Sequence, residues 1–185
     1  VSSAASDVYK RQVAVPFATR QLADLGARVI KVERLGEGDF ARHYDARVKG
    51  LSSYFAWLNR SKESIALDLK QSKAQAIVKE LAASADVVVQ NLSPGATDRL
   101  GLSSAHLREV NPQLITVDLT GYGRGGPLED RKAYDLLIQA EAGLLSVTGS
   151  ASEMVRAGIS VADIAGGMYV LSLIHISEPT RPNTI

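Results

Sequence analysis

Apolar and polar positions fall into two periods along this chain. Ala18, Leu22 and Leu25 recur at i, i+4 and i+7 behind Pro16, a residue suited to a first helical turn, and Gly26 offers a stop. The pattern predicts a first helix there. Residues 28–32 (RVIKV) alternate toward a strand, and 64–67 is a second, short one. Ala74, Ile77, Val78 and Leu81 carry the spacing of an amphipathic helix. Residues 86–90 (DVVVQ) are a β-branched run, which suits a strand buried on both faces. A short helix over 104–110 stops at Asn111-Pro112, and 114–119 (LITVDL) form another strand. Residues 134–145 read as helical, and Ser160 opens a final helix.

Strands separated by helical segments require βαβ crossovers. The expected fold class is therefore α/β, a Rossmann-like open parallel sheet with helices on both faces. Ligands of such sheets sit beyond the carboxyl ends of the strands. The loops that matter are those after Val32, Leu67, Gln90 and Leu119. Internal repeats and low-complexity tracts are absent, and the glycines at 36–38 and 121–127 are the punctuation.

Composition narrows the chemistry. The 185 residues, 45% of them hydrophobic, suffice for one domain with a real core. With 21 Lys+Arg against 20 Asp+Glu there is no basic footprint for nucleic acid and no polybasic face for a membrane. Zero cysteines exclude disulfides, thiolate metal sites and a cysteine nucleophile. The three histidines (His43, His106, His175) lack ligand spacing, so no metal site is expected. The longest apolar stretch, 161–176, is interrupted by Asp163 and His175 and falls short of a membrane span. The chain begins without Met or a signal-peptide apolar core, so an incomplete, cytoplasmic-type domain is expected.

The two ends carry their own signature. One permitted codon choice for residues 7–12 (DVYKRQ) is GAT GTG TAT AAG AGA CAG. It is the reverse complement of CTG TCT CTT ATA CAC ATC, a permitted choice for residues 171–176 (LSLIHI). The pair resembles a transposon-type sequencing adapter joined to both ends of a gene fragment and translated. The expected organisation is an adapter-derived tail over 1–12, a partial domain over 13–170 and a second tail over 171–185. Residues 1–12 and the end beyond Thr180 are expected to pack poorly.

Residues 121–126 (GYGRGG) match the G-x-G-x-x-G dinucleotide pattern after a strand. Pro127 and the charged segment LEDRK follow in place of an amphipathic helix, and the strand is the last one rather than the first. The match is weak, and a nicotinamide-dependent oxidoreductase is the poorest of the alternatives.

Six passages taken together are more specific: LADLGARVIKVE at 22–33, NRSKESIALDLK at 59–70, ADVVVQNLSPGATDRLGL at 85–102, TGYGRGGP at 120–127, KAYDLLIQAEAGLLSVTG at 132–149 and GISVADIAGGMY at 158–169. In this order and spacing they resemble the family III CoA-transferases (the CaiB/BaiF group), which include formyl-CoA transferase, carnitine CoA-transferase and α-methylacyl-CoA racemase. The resemblance covers nearly all of 13–170. It implies a CoA-binding Rossmann-like domain, truncated here before the second domain and the return to the first. It also implies interlocked homodimers in complete members, acyl-CoA and a carboxylic acid as substrates, and no resident cofactor.

By that resemblance the nucleophile falls on Asp163 within VADIAGGMY. A carboxylate there attacks a thioester carbonyl, giving an acyl-aspartyl anhydride and CoA thiolate. Ser160 to Asp163 also fits an S-x-x-D capping box, so Asp163 has a structural reading as a helix cap. The two roles are compatible, because a helix N-terminus favours an ionised carboxylate. Tyr134 and Asp135 match a second catalytic position. The racemase branch carries His where Tyr134 stands, and a phenol with a pKa of about 10 is a poor base at neutral pH. The pair also reads as a buried anchor and an N-terminal helix charge. Positions matching the family's CoA contacts are Arg34, Lys70, Arg99 and Lys132 for the phosphates, Asn91 and Leu92 near the nucleotide, and Leu67 and Leu100 as apolar walls.

Two departures stand out. Val13-Ala14-Val15-Pro16 replaces the common Gln-Ala-Gly-Pro, removing a Gln that approaches the reacting carboxylate in formyl-CoA transferase. Leu92 replaces a common Phe, so it packs against adenine without stacking. Both weaken an oxalate or formate assignment. The expectation is a CoA-transferase whose fragment is itself inactive. An acyl-CoA racemase and a CoA-binding module without catalysis are the alternatives.

Overall fold

A computed structural model describes residues 13–177; the poorly packed ends expected over 1–12 and beyond Thr180 lie outside the described residues. The first helix, α1 (Ala14–Asp24), starts ahead of Pro16, whose missing N–H costs nothing in a first turn. It leads to β1 (Ile30–Arg34), which pairs in parallel with β2 (Glu63–Leu67), Ile30 opposite Glu63 through Arg34 opposite Leu67. Between them lie a 3₁₀ turn (Phe40–His43) and α2 (Ser53–Asn59), neither of which the apolar pattern predicted. The crossover α3 (Ser72–Ala83) delivers β3 (Val87–Gln90). Two short helices, α4 (Ala96–Arg99) and α5 (Ser104–Val110), then carry the chain to β4 (Ile115–Asp118), parallel to β3.

The fold is thus α/β with parallel strands joined by helical crossovers. Among the described residues the strands are hydrogen-bonded two by two, β1 with β2 and β3 with β4. The DVVVQ run forms a strand as its composition predicts, although Val87–Gln90 are half-buried rather than fully so and Asp86 is exposed ahead of it. Val87 and Val89 pack toward Ala18, Val117, Val170 and Ile174, while Val88 faces Ala82, Leu102, Leu107 and Leu114. Each face of β3 therefore belongs to a different cluster, as the two-residue period of a strand requires.

The helix expected over 134–145 is split. Gly143, at φ +78°, ends α6 (Asp135–Glu141) and restarts the chain as α7 (Leu144–Val147). A two-residue hairpin, β5 (Gly149–Ser150) with β6 (Glu153–Met154), precedes α8 (Val161–Ser177). Helix α8 runs through residues 171–177, with Ile174 buried beside Ala18. It crosses α1 at Gly167, where a Cβ would stand 2.6 Å from the Ala14 carbonyl oxygen and 3.0 Å from Phe17. That close approach fixes where α8 begins, and its first turn carries Asp163.

Two charges, buried Glu33 and half-buried Lys62, hold the β1–β2 end to its neighbours. Burial would push Glu33 up, but the Arg42 guanidinium (2.7 and 2.9 Å), the Ser64 hydroxyl (2.6 Å) and the Asp39 N–H (2.7 Å) outweigh it and hold the carboxyl at about 2. Lys62 donates to Pro16 O and Thr19 Oγ1 of α1, each at 2.9 Å, and to Asn59 Oδ1. Burial, with Lys31 close by, pushes its ammonium down to about 7.

Candidate active site

Beyond the carboxyl ends of β3 and β4 lies a cleft of about 200 Å³. Its walls come from five segments: Ala14 at the start of α1, the turn after β3, the start of the glycine loop after β4, the segment leading into α6 with its first turn, and the first turns of α8. This is where a parallel α/β fold places a ligand.

Local bonding explains why the walls stand where they do. Gln90 and Asp118 are register partners across β3 and β4, and Gln90 Nε2 donates to Asp118 Oδ1 at 2.7 Å. Gln90 Oε1 in turn accepts the Leu92 N–H at 2.6 Å, folding the turn that presents Asn91, Leu92, Ser93 and Pro94. Asp118 also takes Ser104 Oγ and an ion pair with Arg124, both at 3.0 Å, which anchors the glycine loop. Gly121 lies so close to Ala133 that a Cβ there would stand 1.9 Å from the alanine's own Cβ. The loop after β4 is thereby closed onto the segment carrying Lys132, Tyr134 and Asp135. No helix follows Gly126; residues 128–131 turn, and the next helix begins at Asp135, so the G-x-G-x-x-G match is not a dinucleotide fingerprint.

Asp163 sits half-buried on the cleft wall, in the first turn of α8. The capping box is not what holds it. Asp135 Oδ1, from α6, accepts the N–H of Ala162 (2.8 Å) and of Asp163 (3.2 Å). The expectation that the helix N-terminus keeps this carboxyl readily ionised also needs correction. Burial, and then the neighbouring Asp135 charge, push it up to about 6. The loss of water around the carboxylate and the repulsion of a second one outweigh the helix dipole, whose partial charge Asp135 already satisfies.

Six of the expected residues share this cleft: Asp163, Tyr134, Asp135, Asn91, Leu92 and Lys132. The other five lie outside its walls. Arg34 and Leu67 stand side by side at the ends of β1 and β2, with the Arg34 guanidinium 3.7 Å over the Phe40 ring and donating to Gly38 O. Lys70 is exposed in the turn after β2. Arg99 reaches Gly95, its Nη1 standing 2.8 Å from where a Cβ would be; Gly95 lines a second cleft that shares Leu92, Ser93, Pro94, Thr120 and Glu129 with the first. Leu100 packs against the cluster of Ala82, Leu102, Leu107 and Leu114.

The structure adds Ser93, Pro94, Thr120, Glu129 and Arg131 to the walls. Position was the signal for the first three, since each lies in the loop just after a strand. Arg131 is tied to α6 by its ion pair with Glu141 at 2.5 Å, and Tyr122 donates to the same carboxylate at 2.6 Å. Among the described residues no group of His, Cys, Asp and Glu could hold a metal ion, and no helix is long and apolar enough to cross a membrane.

The profile of CoA-transferase family III matches residues 9–176. Succinyl-CoA:glutarate CoA-transferase of Homo sapiens is 43% identical over 166 residues, 89% of this chain and 38% of that protein. Acetyl-CoA:oxalate CoA-transferase of Acetobacter aceti is 42% identical over 171 residues, 91% of this chain and 44% of that one. The crystal structure of a CAIB/BAIF family protein from Brucella suis superposes with a TM-score of 0.87 at 37% identity, covering 93% of this chain and 47% of that chain. The chain spans less than half the length of these relatives. A profile covering 9–176 and relatives above 40% identity over most of its length show that the chain belongs to CoA-transferase family III.

Proposed function

We propose that the full-length protein carrying this segment transfers CoA between carboxylic acids, with Asp163 as the covalent nucleophile. The observation that carries the reading is the placement of Asp163: a carboxylate on the wall of a strand-end cleft, capped by a second carboxylate and raised to about 6. Such a group is ionised at neutral pH, yet more basic than an ordinary carboxylate and therefore a better nucleophile. Its oxygen attacks the thioester carbonyl, the C–S bond breaks, CoA leaves as thiolate, and the acyl group is held as a mixed anhydride.

Around it we assign Tyr134 and Lys132 to the cleft wall that meets the acyl group and the CoA arm. Asn91 and Leu92 go to the nucleotide, and Arg34, Lys70 and Arg99, with Leu67 and Leu100 behind them, to the rest of CoA along the strand ends. CoA and acyl-CoA are substrates in this scheme, and no resident cofactor takes part. Tyr134 favours transfer over racemisation, because a phenol beside Asp135 is a poor neutral-pH base for an α-proton. An interlocked homodimer, a cytoplasmic location and an adapter origin for 1–12 and 171–185 belong to the same reading. The names of the relatives pair succinyl-CoA with glutarate and acetyl-CoA with oxalate, so short acyl-CoA donors and dicarboxylate acceptors are the first to try.

The test uses the full-length protein. Incubation with succinyl-CoA or acetyl-CoA, trapping with hydroxylamine and peptide mapping should place a hydroxamate on Asp163. An Asp163→Ala protein that transfers CoA at the unmodified rate refutes the assignment.

A further inference from the structure

Gln139 lies on the inward side of α6, is only 2% exposed and does not itself line the cleft. A buried amide must find partners for its polar atoms, and this one finds them in two places. Its Nε2 donates to Asp135 Oδ2 at 2.7 Å, and its Oε1 accepts the Ala157 N–H at 3.1 Å. A longer contact of 3.5 Å runs from Nε2 to Ile159 O. Residues 157 and 159 belong to the strap that feeds α8, whose first turn holds Asp163.

The two oxygens of Asp135 are thus divided. Oδ2 is held by Gln139, and Oδ1 is left aimed at the Ala162 and Asp163 amides. A carboxylate free to rotate would present either oxygen to the helix and would also pair with water. Held by a buried amide, Asp135 has one orientation, and the start of α8 has one position relative to it. The same amide holds the incoming strap through Ala157, so both the approach to α8 and its cap are set from one side chain.

We infer that Gln139 is a positioning residue for the reaction: by holding Asp135 Oδ2 and the Ala157 amide, it sets the height and angle at which Asp163 meets the thioester. The inference rests on the proposed role of Asp163. Gln139 itself touches neither substrate nor the reacting atoms. The titratable groups around this linkage are Asp163 of α8, Tyr134 at the head of α6, and Glu129, Arg131 and Lys132 on the cleft wall.

The test again uses the full-length protein, with acyl transfer to Asp163 followed by hydroxylamine trapping. Gln139→Met keeps the volume and removes both hydrogen bonds. The rate of anhydride formation should fall about 10- to 100-fold, the scale of a misplaced reacting group, while KM for acyl-CoA stays within about twofold. Combined with Asp135→Asn, the two losses should fail to multiply, because one acts through the other. Gln139→Glu supplies a second reading. Its carboxyl accepts from Ala157 and, when it shares a proton with Asp135, restores the lost donor. It should therefore work at lower pH and lose activity as that proton leaves at higher pH, adding an alkaline limb that a purely space-filling residue would not produce.

A Gln139→Met protein with unchanged rate overturns the inference, as does a double variant whose losses multiply. Failure of both single variants to fold overturns it too, since Gln139 would then be a structural residue only. If the unmodified protein forms no adduct on Asp163, the underlying functional reading falls instead, and that outcome is seen before any Gln139 variant is measured.

Discussion

Asp135 Oδ1 accepts the backbone N–H of Asp163 at 3.2 Å, and the carboxylate that makes this bond is also the charge that opposes ionisation of the Asp163 side chain. The bond stabilises the start of α8, since an anion at a helix N-terminus satisfies orphan amides and meets the positive end of the dipole. The cost falls on Asp163. It has lost much of its water and faces a like charge, so its carboxyl rises from the ordinary carboxylate range to about 6. Two acidic residues with different environments thus divide two tasks, one holding and one reacting.

Asp135→Asn separates these tasks. The amide oxygen still accepts from Ala162 and Asp163 while the charge is gone; its NH₂ group now faces the Gln139 Nε2 donor, so the maximal rate falls as well. Burial remains, so the Asp163 carboxyl should fall part of the way back. The acid limb of anhydride formation, read by hydroxylamine trapping between pH 4.5 and 8, should move to lower pH. At pH 5 the variant should retain a several-fold larger share of its maximal rate than the unmodified protein. An unmoved limb means that burial alone raises Asp163.

The strain on Asp163 is also a stability statement. Its folded pKa lies above its unfolded value, so the folded state holds this proton more tightly. That contribution is complete below the unfolded pKa and is lost as pH rises through about 6. Asp163→Asn should therefore stabilise the full-length protein at pH 8 by about 1–3 kcal/mol and change little at pH 4. Urea unfolding at the two pH values checks this. A variant equally or less stable at pH 8 contradicts it.

The parts of this architecture that depend on neighbours in sequence were legible there, and the parts that depend on distant partners were not. The DVVVQ run announced β3, and Ala74, Ile77, Val78 and Leu81 announced α3, because period and branching are local properties. Gly143 was visible as a glycine, but only its positive φ shows that it breaks the helix. Asp163 was placed on its helix and at the strand-end cleft by its motif. Its cap was misread, since Ser160 offers a local answer and Asp135, 28 residues upstream, offers the one that is used. Gln139 carries no sequence signal. A glutamine on a helix ordinarily faces water, and only the crossing of α6 and the strap buries it.

Glu33 offers a prediction far from the reaction. Its carboxylate is 2% exposed and bonded to Arg42, Ser64 and the Asp39 amide. Because the folded pKa is depressed to about 2, its contribution is present above the ordinary 4.5 and is lost as pH falls through 2. Glu33→Gln turns an NH₂ group toward a guanidinium and leaves Arg42 with only the more distant Asp39 charge. Because Arg42 is 37% exposed, the loss of stability at pH 7 should be about 1–3 kcal/mol, below the range for a fully buried pair. In urea titrations the gap to the unmodified protein should narrow between pH 4.5 and 2; a constant gap assigns the loss to packing alone.

Two adjacent glycines of α8 should respond with opposite signs. Neither has a positive φ, so each conformation suits alanine, and alanine in a helix is worth about 1 kcal/mol over glycine. A Cβ on Gly166 meets Leu119 at 3.6 Å, an ordinary contact, and Gly166→Ala should raise stability by about 0.5–1 kcal/mol. A Cβ on Gly167 meets the Ala14 carbonyl oxygen at 2.6 Å, a backbone atom that cannot swing aside. Gly167→Ala must push α8 away from α1, and the overpacking, about 1–3 kcal/mol, exceeds the propensity gain. The displacement also carries the first turn of α8 with it, so acyl transfer to Asp163 should slow in Gly167→Ala at substrate concentrations that saturate binding. Urea midpoints of the two variants, measured beside the unmodified protein, decide the matter: a Gly167→Ala protein as stable as Gly166→Ala would mean that the two helices are not held at this crossing.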